Sequence, residues 1–245
     1  MKVLFVGDVH NHQYIFDDVA RLDKIYNFDR VIFLGDYVDD WMTDNNDSLK
    51  TLNKVIELKK SNLEKYSLCL GNHEVSYLGY PCSGHRYELE DAIQQVLTEN
   101  IGLFDYYVKV NLGEKDFICS HAGFTNDYIC NVIDKFGEWE PIMEKLNIDK
   151  IKNLIYLSFC SSGRGGSHPY SSFIWADKSE MFNNYDIRII PNQIVGHSPV
   201  QTISNLSSEE GIIYFCDTHS TYRDGSKYGD KTYLIFDEDK FNVVH

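Results

Sequence analysis

The sequence lacks a long apolar run. Nothing in its 245 residues approaches the ~20 consecutive apolar positions that span a bilayer, so no membrane passage is expected. The six cysteines (Cys69, Cys82, Cys119, Cys130, Cys160 and Cys216) include no C-x-x-C pair. Cys69, Cys119 and Cys216 sit inside apolar runs, where a reduced thiol packs as a small core side chain. A chain of this length needs no disulfide staples, so a reducing compartment is expected. Cations are also scarce: 23 Lys and Arg against 37 Asp and Glu leave a formal charge of −14. That deficit argues against a broad nucleic-acid footprint and against an anionic membrane surface. A small phosphorylated substrate stays open, because bound divalent cations invert the local field. Met1 to Asp8 reaches a carboxylate too soon for a signal peptide, and a cytoplasmic protein is expected. No repeat, low-complexity tract or Pro-rich linker divides the chain, which reads as one domain over residues 1–245.

The first half alternates short β-rich runs with helical patterns. Lys2 to Val6, Val31 to Leu34 and Tyr66 to Leu70 read as buried strands. Between them, apolar residues recur at helical spacing from Ile15 to Tyr26 and from Leu49 to Ile56, with Ser48 as a candidate N-cap. This β-α-β-α-β opening favours parallel strands with right-handed crossovers. In the second half, Tyr106 to Val110 and Asp116 to Cys119 flank a turn and predict a hairpin. Helical patterns follow over Tyr128 to Phe136 and Ile142 to Leu157, then strands at Gln193 to Val195, Ile212 to Phe215 and Thr232 to Phe236. Ser161 to Ser172 reads as a long loop. Two mixed sheets packed face to face with helices outside, a four-layer α/β/β/α sandwich of the α+β class, accommodate this order.

Five apolar runs end in a short polar group: Gly7-Asp8-Val9-His10, Gly35-Asp36, Gly71-Asn72-His73, Ser120-His121 and Gly196-His197. Turn chemistry explains Asp or Asn after any one strand, but not a histidine at four of the five ends. Ligands of open α/β sheets bind beyond the carboxyl ends of the strands, so the five ends are expected to converge. Carboxylate, imidazole and amide oxygen together suit Mn, Fe or Zn better than an all-oxygen calcium site or a thiolate zinc site.

The segments Gly7-Asp8-Val9-His10-Asn11, Gly35-Asp36-Tyr37-Val38-Asp39, Gly71-Asn72-His73-Glu74, Ser120-His121-Ala122-Gly123 and Gly196-His197-Ser198 resemble the five ordered motifs of calcineurin-like metallophosphoesterases. The nearest branch is that of the phosphoprotein phosphatases and symmetrical dinucleoside tetraphosphatases. The resemblance implies two divalent transition-metal ions, with manganese first and iron or zinc as alternatives. Asp8 and His10 would bind one ion and Asn72, His121 and His197 the other, with Asp36 bridging. His73 would be the general acid rather than a ligand, with Asp39 as its carboxylate partner. The implied activity is hydrolysis of a phosphate ester by direct attack of a hydroxide bridging the two ions, in a phosphomonoesterase like the Ser/Thr phosphatases. A dinucleoside polyphosphate hydrolase or phosphodiesterase is the alternative enzyme, and a catalytically dead binding module the non-enzyme alternative. The partner is a phosphorylated small molecule, nucleotide or phosphoprotein.

Two positions depart from the phosphatase pattern. Asp40 and Leu70 stand where phosphate-binding arginines are usual in that branch, and a guanidinium fork suits phosphate well. Arg164, in the Ser- and Gly-rich loop, is the candidate replacement for substrate binding, and Arg86 a second cation; each also reads as a solvated charge. Trp175-Ala176-Asp177 resembles a Trp-Ser-Asp element of the phosphatase branch. His12, His85, His168 and His245 read as surface or loop residues, and His219 as either cleft or core. Asn11 replaces a usual glycine, a change that asparagine's tolerance of left-handed backbone permits.

Overall fold

The structure is a computed structural model that describes residues 1–42, 44–79, 82, 84–182 and 189–245. In chain order the elements are β1 (Val3–Val6), α1 (Tyr14–Tyr26), β2 (Arg30–Phe33), α2 (Asn45–Ser61), β3 (Tyr66–Cys69), α3 (Asn72–Ser76) and α4 (Glu90–Asn100). There follow β4 (Phe104–Asp105), β5 (Tyr107–Leu112), β6 (Lys115–Ser120), α5 (Asn126–Phe136), α6 (Trp139–Leu146) and α7 (Lys178–Phe182). The chain ends with β7 (Gln193–Val195), β8 (Ser204–Ser207), β9 (Ile212–Phe215), β10 (Tyr233–Asp237) and β11 (Lys240–Val244).

One sheet has the order β11-β10-β1-β2-β3-β4 and the other β5-β6-β7-β9-β8. Both are mixed. Strands β1 to β4 are parallel, as are β6, β7 and β9, while β10, β11, β5 and β8 join antiparallel. Strands β1 to β3 are buried on both faces, which is why they read as near-continuous apolar runs. Their alternation divides two apolar layers. Val3 and Phe5 join Ile32, Cys69, Val110, Phe117, Cys119, Ile194 and Leu234 between the sheets. Leu4, Val6, Val31, Phe33 and Leu68 face outward onto Val19 and Leu22 of α1, Leu52 and Val55 of α2, and Ile93 and Leu97 of α4. On the second sheet, Ala176, Val200 and, from α7, Met181 pack against Val195, Ile213 and Phe215, while Tyr107 of β5 joins α6, donating its hydroxyl to the Met143 carbonyl at 2.9 Å. No helix among the described residues is long and apolar enough to cross a membrane.

Several boundaries differ from the sequence reading. Helix α2 begins at Asn45, capped by Asp44, whose side chain accepts from Asn46 N; Ser48 is therefore inside the helix rather than its cap. The pattern over Ile142 to Leu157 is not one helix. α6 stops at Leu146, because Asn147 turns its side chain onto the hairpin, accepting from Tyr106 N at 2.6 Å and donating to Tyr107 O at 2.9 Å. A 3-10 segment then covers Lys152–Leu157.

Candidate metal centre

The five strand ends meet at one edge of the sandwich. Asp8 and His10 follow β1, Asp36 follows β2, Asn72 opens α3 after β3, His121 follows β6 and His197 follows β7. The turns that present these side chains are strained. His10, Asn11, Asp36, Asp39 and His197 all have positive φ, between 42° and 65°, an uncommon conformation for side-chain-bearing residues that clusters at functional sites. The Asn11 turn thus forms as expected. Two motif glycines are explained by proximity. A Cβ on Gly71 would lie 2.1 Å from Asp36 Oδ1, and one on Gly196 would lie 2.3 Å from Asp8 Oδ1.

At the centre, His121 Nε2 lies 2.9 Å from Asn72 Oδ1, 3.0 Å from His197 Nδ1 and 3.2 Å from Asp36 Oδ2. Its other nitrogen, Nδ1, is 2.9 Å from the Leu34 carbonyl and is assigned the proton on that contact. In the neutral ring Nε2 is then a lone pair turned towards two oxygen acceptors, Asn72 Oδ1 and Asp36 Oδ2, and towards His197 Nδ1. On the other side of Asp36, His10 Nε2 lies 3.7 Å from Asp36 Oδ2 and 3.6 Å from Asp8 Oδ2. His10 Nδ1 is turned to the Asp39 carbonyl at 2.7 Å. Backbone carbonyls thus orient both imidazoles with Nε2 inward, as such partners do in metal sites. Two groups of possible ligand atoms lie within 4.8 Å of one another, His10–Asp36–His73 and Asp36–His121–His197, and Asp36 belongs to both.

Electrostatics agree with a cation at this place. Burial pulls the His10 imidazole down, but Asp8 and Asp36 outweigh it and raise its pKa to about 10. Burial likewise opposes the charged form of His121, yet Asp36 and Asp8 bring it to about 9. Burial pushes the Asp36 carboxyl up, but the histidines around it hold it well below the usual carboxylate range. The cluster demands positive charge. A divalent ion satisfies that demand through the inward nitrogens of neutral imidazoles. His197 is the exception: burial and the Arg164 charge keep it well below the usual imidazole value, hence neutral.

Next to this cluster, His73 Nδ1 is 3.0 Å from Asp39 Oδ2. Tyr77 Oη donates to the other oxygen of Asp39 at 2.7 Å, and Arg86 Nε lies 3.8 Å from it. Burial disfavours the His73 cation, but Asp36, Cys82 and Asp39 outweigh it and hold its pKa well above the usual imidazole value. Asp8, His10, Asp36, Asp39, Asn72, His73 and His197 border one cleft of about 270 Å³, lined also by Trp41, Gly84, Arg164, Trp175 and Thr221. The calcineurin-like phosphoesterase family model matches residues 1–201.

The chain belongs to the calcineurin-like phosphoesterases. Solved structures of phosphatases share its fold. A cold-active protein-tyrosine phosphatase of a psychrophilic Shewanella species superposes with a TM-score of 0.61 at 15% identity, over 99% of this chain and 77% of that one. A protein serine/threonine phosphatase from Saccharomyces cerevisiae does so at 0.56 and 12% identity, over 100% of this chain and 79% of that one. The family's metal centre is dinuclear, in keeping with the paired grouping around Asp36.

Within this family frame, the structure places the two candidate arginines at the site rather than in solvent. Arg164 Nη2 donates to Ser198 Oγ at 2.9 Å and to the His197 carbonyl at 3.3 Å, and its Nε lies 2.9 Å from Asp177 Oδ2. Arg86 bonds the Asp40 carbonyl at 2.6 Å. His85 is not a surface residue: it stacks on Tyr77 at 4.3 Å and bonds Ser76 Oγ at 2.9 Å. His12 is half-buried, stacked on Tyr14 at 5.4 Å, whereas His168 and His245 are exposed. His219 is a core residue, against Tyr233 and 3.2 Å from Tyr14 Oη, and burial lowers its pKa to about 3.

Glu74 is the residue whose role sequence reasoning missed. Fully buried, it accepts from the backbone N–H groups of Asp36, Tyr37, Val38 and Gly71 at 2.7–3.2 Å, and so clamps the strained turn that carries Asp36. Its place in Gly71-Asn72-His73-Glu74 was the available signal. Ser48 was also misread: its hydroxyl accepts from Asp39 N at 3.2 Å and Asn11 Nδ2 at 3.1 Å, tying two site turns to α2.

Proposed function

We propose that the protein is a metal-dependent phosphatase acting on phosphomonoesters, in the manner of the Ser/Thr phosphatases. The observation that carries this reading is the position of Asp36, one buried carboxylate common to both groups of candidate ligands, as a bridge between two ions requires. Asp8, His10 and Asp36 would hold one ion, with Asp8, whose Oδ2 is 3.6 Å from His10 Nε2, in place of the grouped His73, whose Nδ1 is engaged by Asp39; Asp36, Asn72, His121 and His197 would hold the other. The donor set suits manganese, iron or zinc, with manganese our first choice. When bound, the pair supplies Lewis-acid polarisation of the phosphoryl group and acidifies water near neutral pH.

The chain's own groups do the remaining work. The Leu34 and Asp39 carbonyls fix the tautomers of His121 and His10, so that their inward nitrogens are acceptors. His73, its Nδ1 held on Asp39, keeps a proton to deliver to the leaving oxygen. Arg164, held at the cleft wall by Ser198 and Asp177, offers its guanidinium to the non-bridging phosphate oxygens. It supplies on another element one of the cations that Asp40 and Leu70 do not. Six free cysteines support a reducing, cytoplasmic setting.

Turnover of p-nitrophenyl phosphate with and without manganese is the first test, followed by phosphomonoesters, diesters, phosphopeptides and dinucleoside polyphosphates. Manganese-dependent turnover with the highest kcat/KM on monoesters is expected. Preference for dinucleoside polyphosphates or diesters would select those substrates instead. Full metal occupancy without turnover of any substrate would make the protein a binding module.

A further inference from the structure

Two of the chain's three tryptophans, Trp41 and Trp175, line the cleft. Trp175 is accounted for by packing, since its ring meets His197 edge-on at 5.9 Å and 89°. Trp41 is not, because it stands 46% exposed on the wall next to Asp39 and Asp40. Its position is nonetheless built. The Arg223 guanidinium lies 4.8 Å from the Trp41 ring centroid. Arg223 sits in a turn closed by Tyr222 N to Ser226 O at 2.9 Å and Gly225 N to Tyr222 O at 2.8 Å. That turn packs so closely on Met42 that a Cβ at Gly225 would lie 3.0 Å from Met42 Cγ. A large ring is thus held over the cleft by a cation at its face.

The charges on this wall decide what the ring can receive. Asp39 and Asp40 both lie there, Asp40 Oδ1 accepting from Trp41 N at 2.7 Å and Thr221 Oγ1 at 3.1 Å. Arg164, the cation assigned above to the phosphate, is held on a different segment, by His197 and Ser198 rather than by the Asp39–Trp41 stretch. A second phosphate beside Trp41 would meet two carboxylates and a guanidinium already engaged on the ring, whereas a neutral flat ring would meet a π-face without facing the carboxylate repulsion. His73 is bonded to Asp39 on the same wall, so the oxygen it protonates leaves on that side.

We infer that the phosphate ester taken by this cleft carries a planar aromatic group on its leaving side, stacked on Trp41. The inference rests on the phosphatase reading above. Its test compares Trp41→Ala and Trp41→Phe with wild-type manganese-loaded enzyme. The substrates are phenyl phosphate, phosphotyrosine, nucleoside 5′-monophosphates and, as non-aromatic controls, glycerol phosphate and phosphoserine. Trp41→Ala should lower kcat/KM for the aromatic esters about three- to tenfold more than for the controls, the range of an aromatic pair, and Trp41→Phe should restore most of it. A larger selective loss on phenyl phosphate and phosphotyrosine assigns the ring to a phenol, and one on the nucleotides assigns it to a nucleobase. The same factor on aromatic and control substrates, or no loss, overturns the inference while leaving the phosphatase reading intact. Absence of turnover by wild type on every ester, controls included, refutes the phosphatase reading itself.

Discussion

Gly71→Ala tests how tightly the bridging carboxylate is placed. Gly71 has φ −98°, which any residue adopts, so its lack of a side chain is explained by space alone. An added Cβ would lie 2.1 Å from Asp36 Oδ1 and 2.5 Å from Asp36 N, whereas real Cβ contacts essentially never fall under 3.0 Å. Asp36 cannot yield freely, since its N–H is clamped by Glu74 at 2.9 Å and its Oδ1 accepts from His73 N at 3.0 Å. The carboxylate must therefore shift by about 1 Å, a displacement that can cost ~10²-fold in rate at a catalytic group. Overpacking of this kind destabilises by ~1–3 kcal/mol, or a Tm drop of roughly 2–12 °C for a chain of this length. The assay is kcat on p-nitrophenyl phosphate alongside metal content and calorimetric Tm. A variant that binds two ions and turns over at the wild-type rate would refute the claim that close packing at Gly71 fixes the bridge.

His73→Asn should keep its metal while kcat falls by roughly 10²–10⁴, the range for losing a general acid, and the loss should be smaller for good leaving groups; loss of metal would make His73 a ligand. Asp39→Asn should move the alkaline limb of the pH–rate profile to lower pH, since it removes one of the charges that raise the His73 pKa; a limb that stays put or moves up would break the pairing. Arg164→Ala should raise KM for phosphomonoesters about 5- to 30-fold with little change in kcat. A charge-assisted hydrogen bond is worth ~1.5–3 kcal/mol, trimmed here because the Arg164 side chain is 22% exposed. An unchanged KM would make it a surface charge.

What the sequence disclosed depended on local pattern. The strand ends were legible because a buried parallel strand is an unbroken apolar run, and a run stopped by Asp, Asn or His marks its own exit. The hairpin was equally plain, and β5 and β6 pair from Tyr107–Ser120 to Leu112–Lys115 with Gly113 at φ 65°. Helix α4 was missed because only Ile93 and Leu97 of its eleven residues are buried, too few to set a period. Strand β8, Ser204–Ser207, is a polar edge with no apolar alternation to betray it. Asn45, Asn46 and Asp47 disguised the first turn of α2 as a loop. In the site, motif residues could be named from order alone. The duties of Glu74, Ser48 and Tyr77, and the arrival of Arg164 and Arg86 beside His197 and Asp39, depend on contacts between segments far apart in the chain.

The central claim is that Asp36 bridges two metal ions, and elemental analysis of wild type and Asp36→Asn after manganese loading and desalting tests it most directly. The account predicts close to two ions per chain in wild type, and loss of metal with loss of turnover in Asp36→Asn. Calorimetry should show Tm rising with manganese in wild type and failing to respond in the variant. An Asp36→Asn protein that retains two ions, responds to manganese and hydrolyses p-nitrophenyl phosphate normally would contradict the account.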